Sequence, residues 1–515
     1  MSATRRLVSG SLAAWGKIVV TVFSQLLLVP VYLGHWSVET YGIWISIQAF
    51  ISVATTLDKG HQDYLGFEFL KIGKEKLPEI RKVLWNGVLV TLSLGILQVL
   101  VIAGLAFSSG VLSELWTDKA SDLQLVRDAG IVLVLSAINW LINQNILGVF
   151  IRVLSPFGYY PRMSWWGVLY SIISSFAPVI AVMFGASLLQ AGIVLTLSTV
   201  VYSLLQLADI MRLLKKEQLF GADYDRKTAF VNLGRSLGVS ARGLLENVRQ
   251  QGIRLILAPL SGLRELTVFS TLRTGANFAL QGLSSITNPL MPELMRFLNQ
   301  KDQDRFESAL SSIWIVVVVL LVPAIIVVQA FAEPLFQVWT RGKIEFNPLL
   351  FALLSVNVLL YALTQPALAI ITGNNLLKIQ LSVSITTAVI LIGSMAVLVP
   401  RIGLSGAGFA LCLAEAASAA LYRYHAVKWL RRHGMAWPTR NYNIVLLSVL
   451  VSAAIMFVMI RFPAQRSLIL LLSIPVLALV IYSYWKTLPA IAVSKLKVGK
   501  FSPGFLRNRL LKKSA

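Results

Sequence analysis

Long apolar segments recur along the whole chain, and this hydropathy pattern constrains the fold more than any other feature. Of the 515 residues, 56% are hydrophobic and only 13% are charged, a composition that excludes an ordinary water-soluble domain. Each segment has about 17–25 residues, enough to cross the hydrocarbon core of a bilayer as an α-helix. We therefore predict an all-α polytopic membrane protein with about fourteen transmembrane helices. The predicted helices are 9–33, 41–57, 83–107, 129–151, 163–184, 187–210, 236–259, 265–288, 309–332, 347–371, 379–399, 403–425, 442–461 and 467–486.

The placement of the basic residues indicates how these helices are oriented. The chain has 46 Lys and Arg against 23 Asp and Glu, which gives a net charge of +23. With the N-terminus inside, about 33 of the 46 basic residues fall in cytoplasmic loops and tails, as the positive-inside rule requires. Both termini are therefore expected in the cytoplasm. The charge is explained by topology and by contacts to anionic membrane lipids, so no nucleic-acid partner is expected.

The two halves of the chain resemble each other at four places that occur in the same order. The paired motifs are 28–30 with 257–259, 115–117 with 338–340, Asn139 with Asn357, and 190–192 with 406–408. The shared order predicts two six-helix lobes, and an even number of spans gives both lobes the same orientation in the membrane. Substrate is expected to pass between the lobes.

The repeat divides the chain into five predicted parts. They are an N-terminal six-helix lobe (1–212), a cytoplasmic linker (213–232), a C-terminal six-helix lobe (233–430), an extra transmembrane helix pair (431–488) and a basic cytoplasmic tail (489–515).

The segment from Leu233 to Leu260 carries several charged residues within a predicted span. Arg235, Arg242, Glu246 and Arg249 share one face of a helix. Because a charge at membrane depth costs several kcal/mol, this face is expected to border water or protein rather than lipid. A surface amphipathic helix is the alternative. The repeat aligns Lys17 with Glu246, so we expect an ion pair between them.

Other polar residues recur at helical spacing on neighbouring spans, which predicts a cationic cleft. The candidate substrate-binding cations are Lys17, Arg242, Arg249 and Arg273, and the candidate polar residues of the cleft are Gln25, Asn139, Glu246, Asn277, Gln281 and Asn357. Hydrogen bonding between helices is the alternative role for the neutral residues. Two further groups have structural predictions. Trp116 and Trp339 are expected at the external membrane interface, and Asp58, Lys59 and Asp63 are expected to end a helix and anchor a loop.

The cysteine and histidine residues do not predict a metal site or a cofactor. Cys412 is the only cysteine, and the four histidines are scattered without the spacing of metal ligands. The longest predicted external loop, near 108–128, has only about 20 residues, so its aspartates are expected to be solvated rather than catalytic. An enzyme is therefore not expected.

Three stretches resemble the Wzx-type polysaccharide flippases of the multidrug/oligosaccharidyl-lipid/polysaccharide (MOP) exporter superfamily. They are 28–34 followed by Tyr41-Gly42-Ile43-Trp44, 333–340, and 403–408. The resemblance covers roughly residues 8 to 430 and implies cationic residues in a central cavity. It further implies alternating-access transport of an undecaprenyl-pyrophosphate-linked oligosaccharide across the bacterial cytoplasmic membrane. A monomer is expected, with a polysaccharide polymerase and chain-length proteins as candidate partners.

Three other functions stay open at this stage. A lipid II flippase is a near alternative, because the extra helix pair departs from the twelve spans of many Wzx-type members. A cation-coupled multidrug exporter would favour an acidic cavity, whereas bases outnumber acids within these spans. A membrane glycan polymerase or ligase would need a larger external loop.

Overall fold

Helices form all the regular secondary structure in the parts of the chain that the structure describes. The computed structural model describes residues 3–108, 123–221, 224–489 and 491. The helices of the first half are α1 (Ala3–His35), α2 (Val38–Ala54), α3 (Thr56–Ile72), α4 (Leu77–Phe107), α5 (Leu123–Trp140), α6 (Leu147–Val153), α7 (Tyr160–Met183) and α8 (Leu188–Lys216). Those that follow are α9 (Arg226–Asn247), α10 (Ile253–Ser261), α11 (Leu263–Asn299), α12 (Gln303–Ile315), α13 (Val322–Trp339), α14 (Pro348–Gly373), α15 (Leu377–Ile402), α16 (Leu404–Arg432), α17 (Thr439–Arg461) and α18 (Arg466–Trp485).

The hydropathy of these helices confirms the polytopic membrane class. Eleven continuous helical segments in the described residues are long and apolar enough to cross a bilayer. A bent pair, α2 with the part of α3 from Asp58 to Ile72, turns by 47° and raises the number to twelve if it counts as one span. The predicted seventh and eighth spans coincide with helices α9, α10 and α11, which are not among these apolar segments. The exact number of fourteen spans stays a prediction.

Three of the long helical segments are interrupted by a π-helical turn. The turns are Leu141–Ile146 between α5 and α6, Val248–Gly252 between α9 and α10, and Val316–Leu321 between α12 and α13. A π turn widens the backbone locally and changes the direction of nearby side chains, and such turns are frequent at functional sites. The second turn contains Arg249, one of the predicted substrate-binding residues.

Contacts divide the chain into two compact units. Unit 1 comprises Met1–Gly275, Pro334–Leu350 and Gln380–Ala414, and unit 2 comprises Ala276–Glu333, Phe351–Ile379 and Glu415–Ala515. These units are defined by contact and not by internal symmetry, so the lobe boundaries derived from the repeat stay a prediction.

Each unit has its own packed core. In unit 1, apolar residues of α3, α4, α6 and the end of α8 are fully buried together, among them Phe69, Ile80 and Leu214. In unit 2, Trp314 is fully buried, and its indole nitrogen donates to the carbonyl of Leu363 at 3.2 Å. The buried indole packs edge-on against the ring of Trp437.

Helix α9 approaches α3 very closely within unit 1. A Cβ added at Gly60 would lie 2.4 Å from the Cα of Ser240, so only glycine fits there. Next to this contact, the buried His61 hydrogen-bonds to Ser236, one turn before Ser240 on α9. The distance between His61 Nδ1 and Ser236 Oγ is 2.9 Å. The polar helix α9 is thereby held against the bent pair α2 and α3.

Candidate functional site

A cavity of about 450 Å³ lies within unit 1, beside the bend between α2 and α3. This volume falls in the range of about 300–1,000 Å³ that is usual for small-molecule sites. We call it the aromatic cavity because four large aromatic rings line it. The lining residues are Leu28, Tyr32, Trp44, Gln48, Ile51, Ser52, Thr55, Lys59, Ser136, Asn139, Trp140, Tyr170, Ser174, Ser175, Pro178, Leu195 and Asn247.

The bend creates one wall of this cavity. Helix α2 ends at Ala54, and the hydroxyl of Thr55 turns back to donate to the carbonyl of Ile51 at 2.6 Å. A hydrogen bond from a Thr hydroxyl to the carbonyl four residues earlier often accompanies a helix bend. Helix α3 then begins at Thr56 in a new direction, which brings Lys59 to the cavity.

The charge of the aromatic cavity is simple. Among the described residues that line it, Lys59 is the only Lys, Arg, His, Asp or Glu, and this lysine is exposed. The other polar groups of the wall are amides, hydroxyls and indole or phenol groups. The cavity is therefore suited to a ligand that is negatively charged at one point and rich in hydrogen-bonding groups elsewhere.

Asn139, a predicted cleft residue, lines this cavity and is fixed by its neighbours. Its side-chain oxygen accepts from the hydroxyl of Thr199 at 2.9 Å and from the amide of Asn143. The amide oxygen of Asn143 in turn accepts from Ser203. All four side chains are buried. This ladder joins α8 to the helical segment of Asn139, so the wall keeps its shape without a ligand.

A buried carboxylate, Asp58, lies behind the same wall. Its Oδ2 accepts from the indole of Trp140 at 3.0 Å, from Asn145 at 3.0 Å and from Gln62 at 3.1 Å. Its Oδ1 accepts from Gln98 at 3.2 Å. The carboxylate is completely shielded from solvent. Because hydrogen bonds to a charged acceptor are the strong ones, this centre ties α3, α4 and the π turn Leu141–Ile146 together.

The predicted role of Asp58, Lys59 and Asp63 is therefore wrong. They do not end a helix at a loop, since α3 continues to Ile72. Asp58 is a buried centre, Lys59 reaches the aromatic cavity, and Asp63 accepts from Arg152 at 2.6 Å. Of the three, only Asp58 is fully buried, because the bend between α2 and α3 turns it into unit 1.

Three of the predicted cleft residues come together around the π turn Val248–Gly252. Arg249 donates to both carboxylate oxygens of Glu246, at 2.7 and 3.2 Å. Gln250 donates to the same carboxylate at 3.1 Å. Arg273 donates to the backbone carbonyl of Gln250 at 2.9 Å and to its side-chain oxygen at 3.3 Å. Arg273 is only 6% exposed. The result is a continuous chain of contacts from Arg249 to Arg273.

The other two predicted cations have a different environment. Lys17 and Arg242 are exposed, and neither side chain has an ion-pair or hydrogen-bond partner among the described residues. The expected ion pair between Lys17 and Glu246 is not formed, because the carboxylate of Glu246 is held by Arg249. Corresponding positions in two repeats need not be in contact, which is the physical reason for the difference.

Asn247 connects the charged segment from Leu233 to Leu260, which we call the polar segment, to the aromatic cavity. Its amide donates to the hydroxyl of Thr56 at 2.7 Å and to the carbonyl of Ser52 at 3.2 Å, and it lines the cavity next in sequence to Glu246. A rearrangement of the π turn would thus move a residue of the cavity wall.

The remaining predicted residues are not brought into this cavity. Gln25 is half-buried in α1 of unit 1. Asn277 and Asn357 belong to unit 2, where Asn277 is half-buried and the buried Oδ1 of Asn357 has no partner among the described residues. The side chain of Gln281 lies outside the described residues.

The two tryptophans predicted at the external interface have different outcomes. Trp116 lies outside the described residues. Trp339 ends α13, and its indole nitrogen donates to the carbonyl of Leu26 at 2.8 Å. Its position at the membrane interface stays a prediction.

Several residues of the cavity wall were missed by the sequence analysis. Gln48, Ser52, Thr55 and Lys59 all line it and are spaced by four, three and four residues. This is the spacing of one helix face, so the sequence itself carries a signal for this wall. Within the described residues, no group of three or more His, Cys, Asp or Glu side chains is arranged to hold a metal ion.

Comparisons with known proteins identify the fold. No family model matches the chain, and no curated protein sequence matches it. Among solved structures, the lipid II flippase MurJ in an inward closed conformation aligns with a TM-score of 0.63 and 13% identity. The alignment covers 92% of this chain and 99% of MurJ.

Two further structures share this architecture. An inward-facing multidrug resistance MATE family transporter of the MOP superfamily aligns with a TM-score of 0.58 and 14% identity, over 79% of this chain and 93% of that transporter. A MOP superfamily transporter from Pyrococcus furiosus Vc1 (DSM3638), described as having a binding pocket of reverse polarity, aligns with a TM-score of 0.51 and 15% identity over 82% and 94%. The chain thus has the fold of MOP flippases and transporters and is a multi-pass membrane protein.

Proposed function

We propose that this chain is a flippase that moves an undecaprenyl-pyrophosphate-linked oligosaccharide across the bacterial cytoplasmic membrane for the synthesis of surface polysaccharide. The observation that carries the proposal is the character of the aromatic cavity. It combines one cation, Lys59, with aromatic rings, amides and hydroxyls, and no carboxylate is among its described lining residues. The fold, which is that of flippases and transporters, supports it.

The sugar part of such a substrate matches the neutral wall. Sugar hydroxyls both donate and accept hydrogen bonds, and Gln48, Asn139 and Asn247 offer side-chain amides while Ser174 and Ser175 offer hydroxyls. The rings of Trp44, Trp140 and Tyr170 offer large rigid faces with a polar edge. These groups recognise sugars as a class, so the flippase would tolerate variation in the repeat unit.

The pyrophosphate matches the exposed cations. Lys59, Lys17 and Arg242 have ammonium or guanidinium groups that are not paired with acids among the described residues. Arginine binds phosphate oxygens through paired donors, whereas lysine acts as a point charge. Arg249 and Arg273 would act indirectly, because Arg249 donates to Glu246 and Arg273 donates to Gln250.

The π turn Val248–Gly252 is the element that would move during alternating access. Its hydrogen-bond pattern already departs from that of a regular α-helix, and Asn247, just before it, reaches the cavity wall. Binding of an anion near Arg242 would compete with Glu246 for Arg249, which lies on the same helical segment. The exchange of partners would couple occupancy to the shape of the wall.

Lipid II is the second candidate substrate. The alignment with MurJ covers 92% of this chain, compared with 79% for the MATE transporter, so more of the chain has a counterpart there. Both candidates are polyprenyl pyrophosphates that carry sugars, and the aromatic cavity suits both. A cationic drug is disfavoured, because the nearest buried acid, Asp58, is already surrounded by four donor side chains.

The first experiment tests the role of Lys59. In a strain that lacks the wild-type gene, Lys59→Ala should reduce mature surface polysaccharide by about tenfold or more, since a charge-assisted contact is worth about 1.5–3 kcal/mol. Lys59→Arg should keep most of the export. The matched control is Lys71→Ala, which removes a 78% exposed lysine from the same helix and should leave export unchanged. Equal export by Lys59→Ala and Lys71→Ala, at equal protein level, would reject the proposal.

The second experiment tests the polar segment. Arg242→Ala should cut export sharply, and Arg242→Lys should restore it only in part, because charge returns without the paired donors. Glu246→Gln should be milder than Arg249→Ala, since the amide oxygen can still accept from Arg249. Wild-type export by the double variant Arg242→Ala, Arg249→Ala would rule out substrate binding at this segment.

A further inference from the structure

A second cavity, of about 920 Å³, lies within unit 2 and is lined by α14, α16 and α17. Four of its lining residues are basic, and we call it the basic cavity. Its lining residues are Leu360, Leu363, Ala416, Ala419, Ala420, Arg423, Tyr424, Val427, Lys428, Arg431, Arg432, Thr439, Tyr442 and Leu446. No acidic residue is among these described lining residues. The cavity therefore attracts anions.

The four basic residues that line the cavity lie on the C-terminal half of α16. Lys428 and Arg432 are four residues apart and Lys428 and Arg431 three apart, so these three are neighbours on the helix surface, while Arg423 lies more than one turn before them. Arg423 lies about 13 Å from Arg432 along the helix axis, so the positive charge extends from the helix end into the depth of the membrane. The charge bias of the loops predicts that this end is cytoplasmic.

Arg423 is the lining residue with an unsatisfied donor. Its guanidinium stacks on the ring of Tyr442 at 4.3 Å, which fixes the plane of its donors. Its Nε is buried and has no hydrogen-bond partner among the described residues. A buried donor without an acceptor is costly, and the cost is greater for a charged group. An anion in the basic cavity would supply the missing acceptor.

The rest of the lining indicates what kind of anion fits. Leu360, Leu363, Val427 and Leu446, with three alanines of α16, give the same cavity an apolar lining as well. A ligand with a phosphate and an acyl chain satisfies both surfaces, whereas a free phosphate would leave the apolar wall in contact with water. The C-terminal segment 489–515 does not satisfy them, because it contains no Asp or Glu and several Lys and Arg.

We propose that the basic cavity of unit 2 is a binding site for one anionic phospholipid of the cytoplasmic leaflet, with its phosphate held by Arg423 and Arg431. Anionic lipids are enriched on that side of the membrane, and basic pockets between transmembrane helices bind their head groups. The bound lipid bridges α16 and α17 and so fixes the C-terminal helix pair within unit 2. This proposal does not depend on the substrate proposed for the aromatic cavity.

The test measures lipid binding to the purified full-length protein by native mass spectrometry, with phosphatidylglycerol as the probe. One phosphatidylglycerol should bind about tenfold more tightly than phosphatidylcholine, because only the former has a net negative charge. The double variant Arg423→Gln, Arg431→Gln should lose this preference. The matched control Arg440→Gln, Lys486→Gln removes two cations that do not line the basic cavity, and it should retain the preference.

A second variant keeps the test decisive if the first is unstable. Arg431→Gln, Arg432→Gln removes two exposed charges and leaves the stacking of Arg423 on Tyr442 intact. It should weaken phosphatidylglycerol binding by about tenfold, as expected for losing charge-assisted contacts. Equal binding of both phospholipids, or equal losses in this variant and in the control, would overturn the proposal. So would displacement of the lipid by inorganic phosphate at equal concentration, or preferential binding of undecaprenyl pyrophosphate.

Discussion

The aromatic cavity of unit 1 and the basic cavity of unit 2 use polar groups in opposite ways. No described lining residue of the aromatic cavity has a buried side-chain polar atom without a partner; Asn139 in the wall accepts from two side chains, and Asp58 behind it accepts from four. The basic cavity is lined by four basic side chains, and the buried Nε of Arg423 has no acceptor among the described residues.

This difference indicates two kinds of ligand. A wall whose groups are already bonded keeps its shape when empty, which suits a substrate that must enter and leave. A wall with an unsatisfied buried donor gains stability when an anion supplies the acceptor, which suits a lipid that stays bound. The distinction depends on the bonding of the walls and not on the amount of polar surface.

The largest effect on stability is expected from replacing Asp58, the buried carboxylate that accepts four hydrogen bonds in unit 1. Asp58→Asn should lower the free energy of unfolding by about 3 kcal/mol, because several donors would lose a charged acceptor. Denaturant titration of the purified protein measures this loss. Asp63→Asn is the matched control, since its carboxylate is 43% exposed and has water as an alternative partner. If both variants lost the same small amount, the aromatic cavity would not depend on a buried network.

A smaller effect is expected from separating α3 and α9. Gly60→Ala should destabilise the protein by about 1–3 kcal/mol, because the new methyl group would overlap the backbone at Ser240. The control Gly167→Ala adds the same methyl group to a helix where no heavy atom lies within 4 Å. It should be neutral or slightly stabilising. Equal stability of the two variants, again by denaturant titration, would show that the close contact does not support the cavity wall.

The smallest effect is expected at a charged pair outside both cavities. Lys82 lies 2.8 Å from Asp225, and with the hydroxyl of Thr228 it holds the pKa of Asp225 below its ordinary value. Because the folded-state pKa is lowered, this contribution to stability is complete above the ordinary carboxyl pKa of about 4 and is lost as the pH falls further. Asp225→Asn should therefore lower the thermal midpoint slightly at pH 7.

The pH dependence provides the control for that prediction. The difference between wild type and Asp225→Asn should stay constant from pH 7 to pH 5 and shrink below about pH 4. A difference that vanished already at pH 6 would assign the effect to another group.

The sequence predicted the class of fold because hydropathy acts on every helix independently of tertiary contacts. It also identified the polar segment of Glu246 and Arg249, since charges within an apolar frame are conspicuous. It did not predict that Glu246 would pair with Arg249 rather than with Lys17. Arg249 lies in a π turn, and no local sequence pattern predicts such a turn. It did not predict the burial of Asp58 for a similar reason, since this burial depends on the 47° bend between α2 and α3.

The most direct test of the account is transport by the purified protein in liposomes. An undecaprenyl-pyrophosphate-linked oligosaccharide, with a fluorescent sugar, is placed in both leaflets, and a membrane-impermeant quencher reports the fraction that becomes accessible. Wild type and Lys71→Ala should make all of the fluorescence accessible, whereas Lys59→Ala and protein-free liposomes should leave about half protected, as an equal distribution between leaflets requires. Full accessibility with Lys59→Ala, or protection with wild type, would contradict the assignment of the aromatic cavity to this substrate.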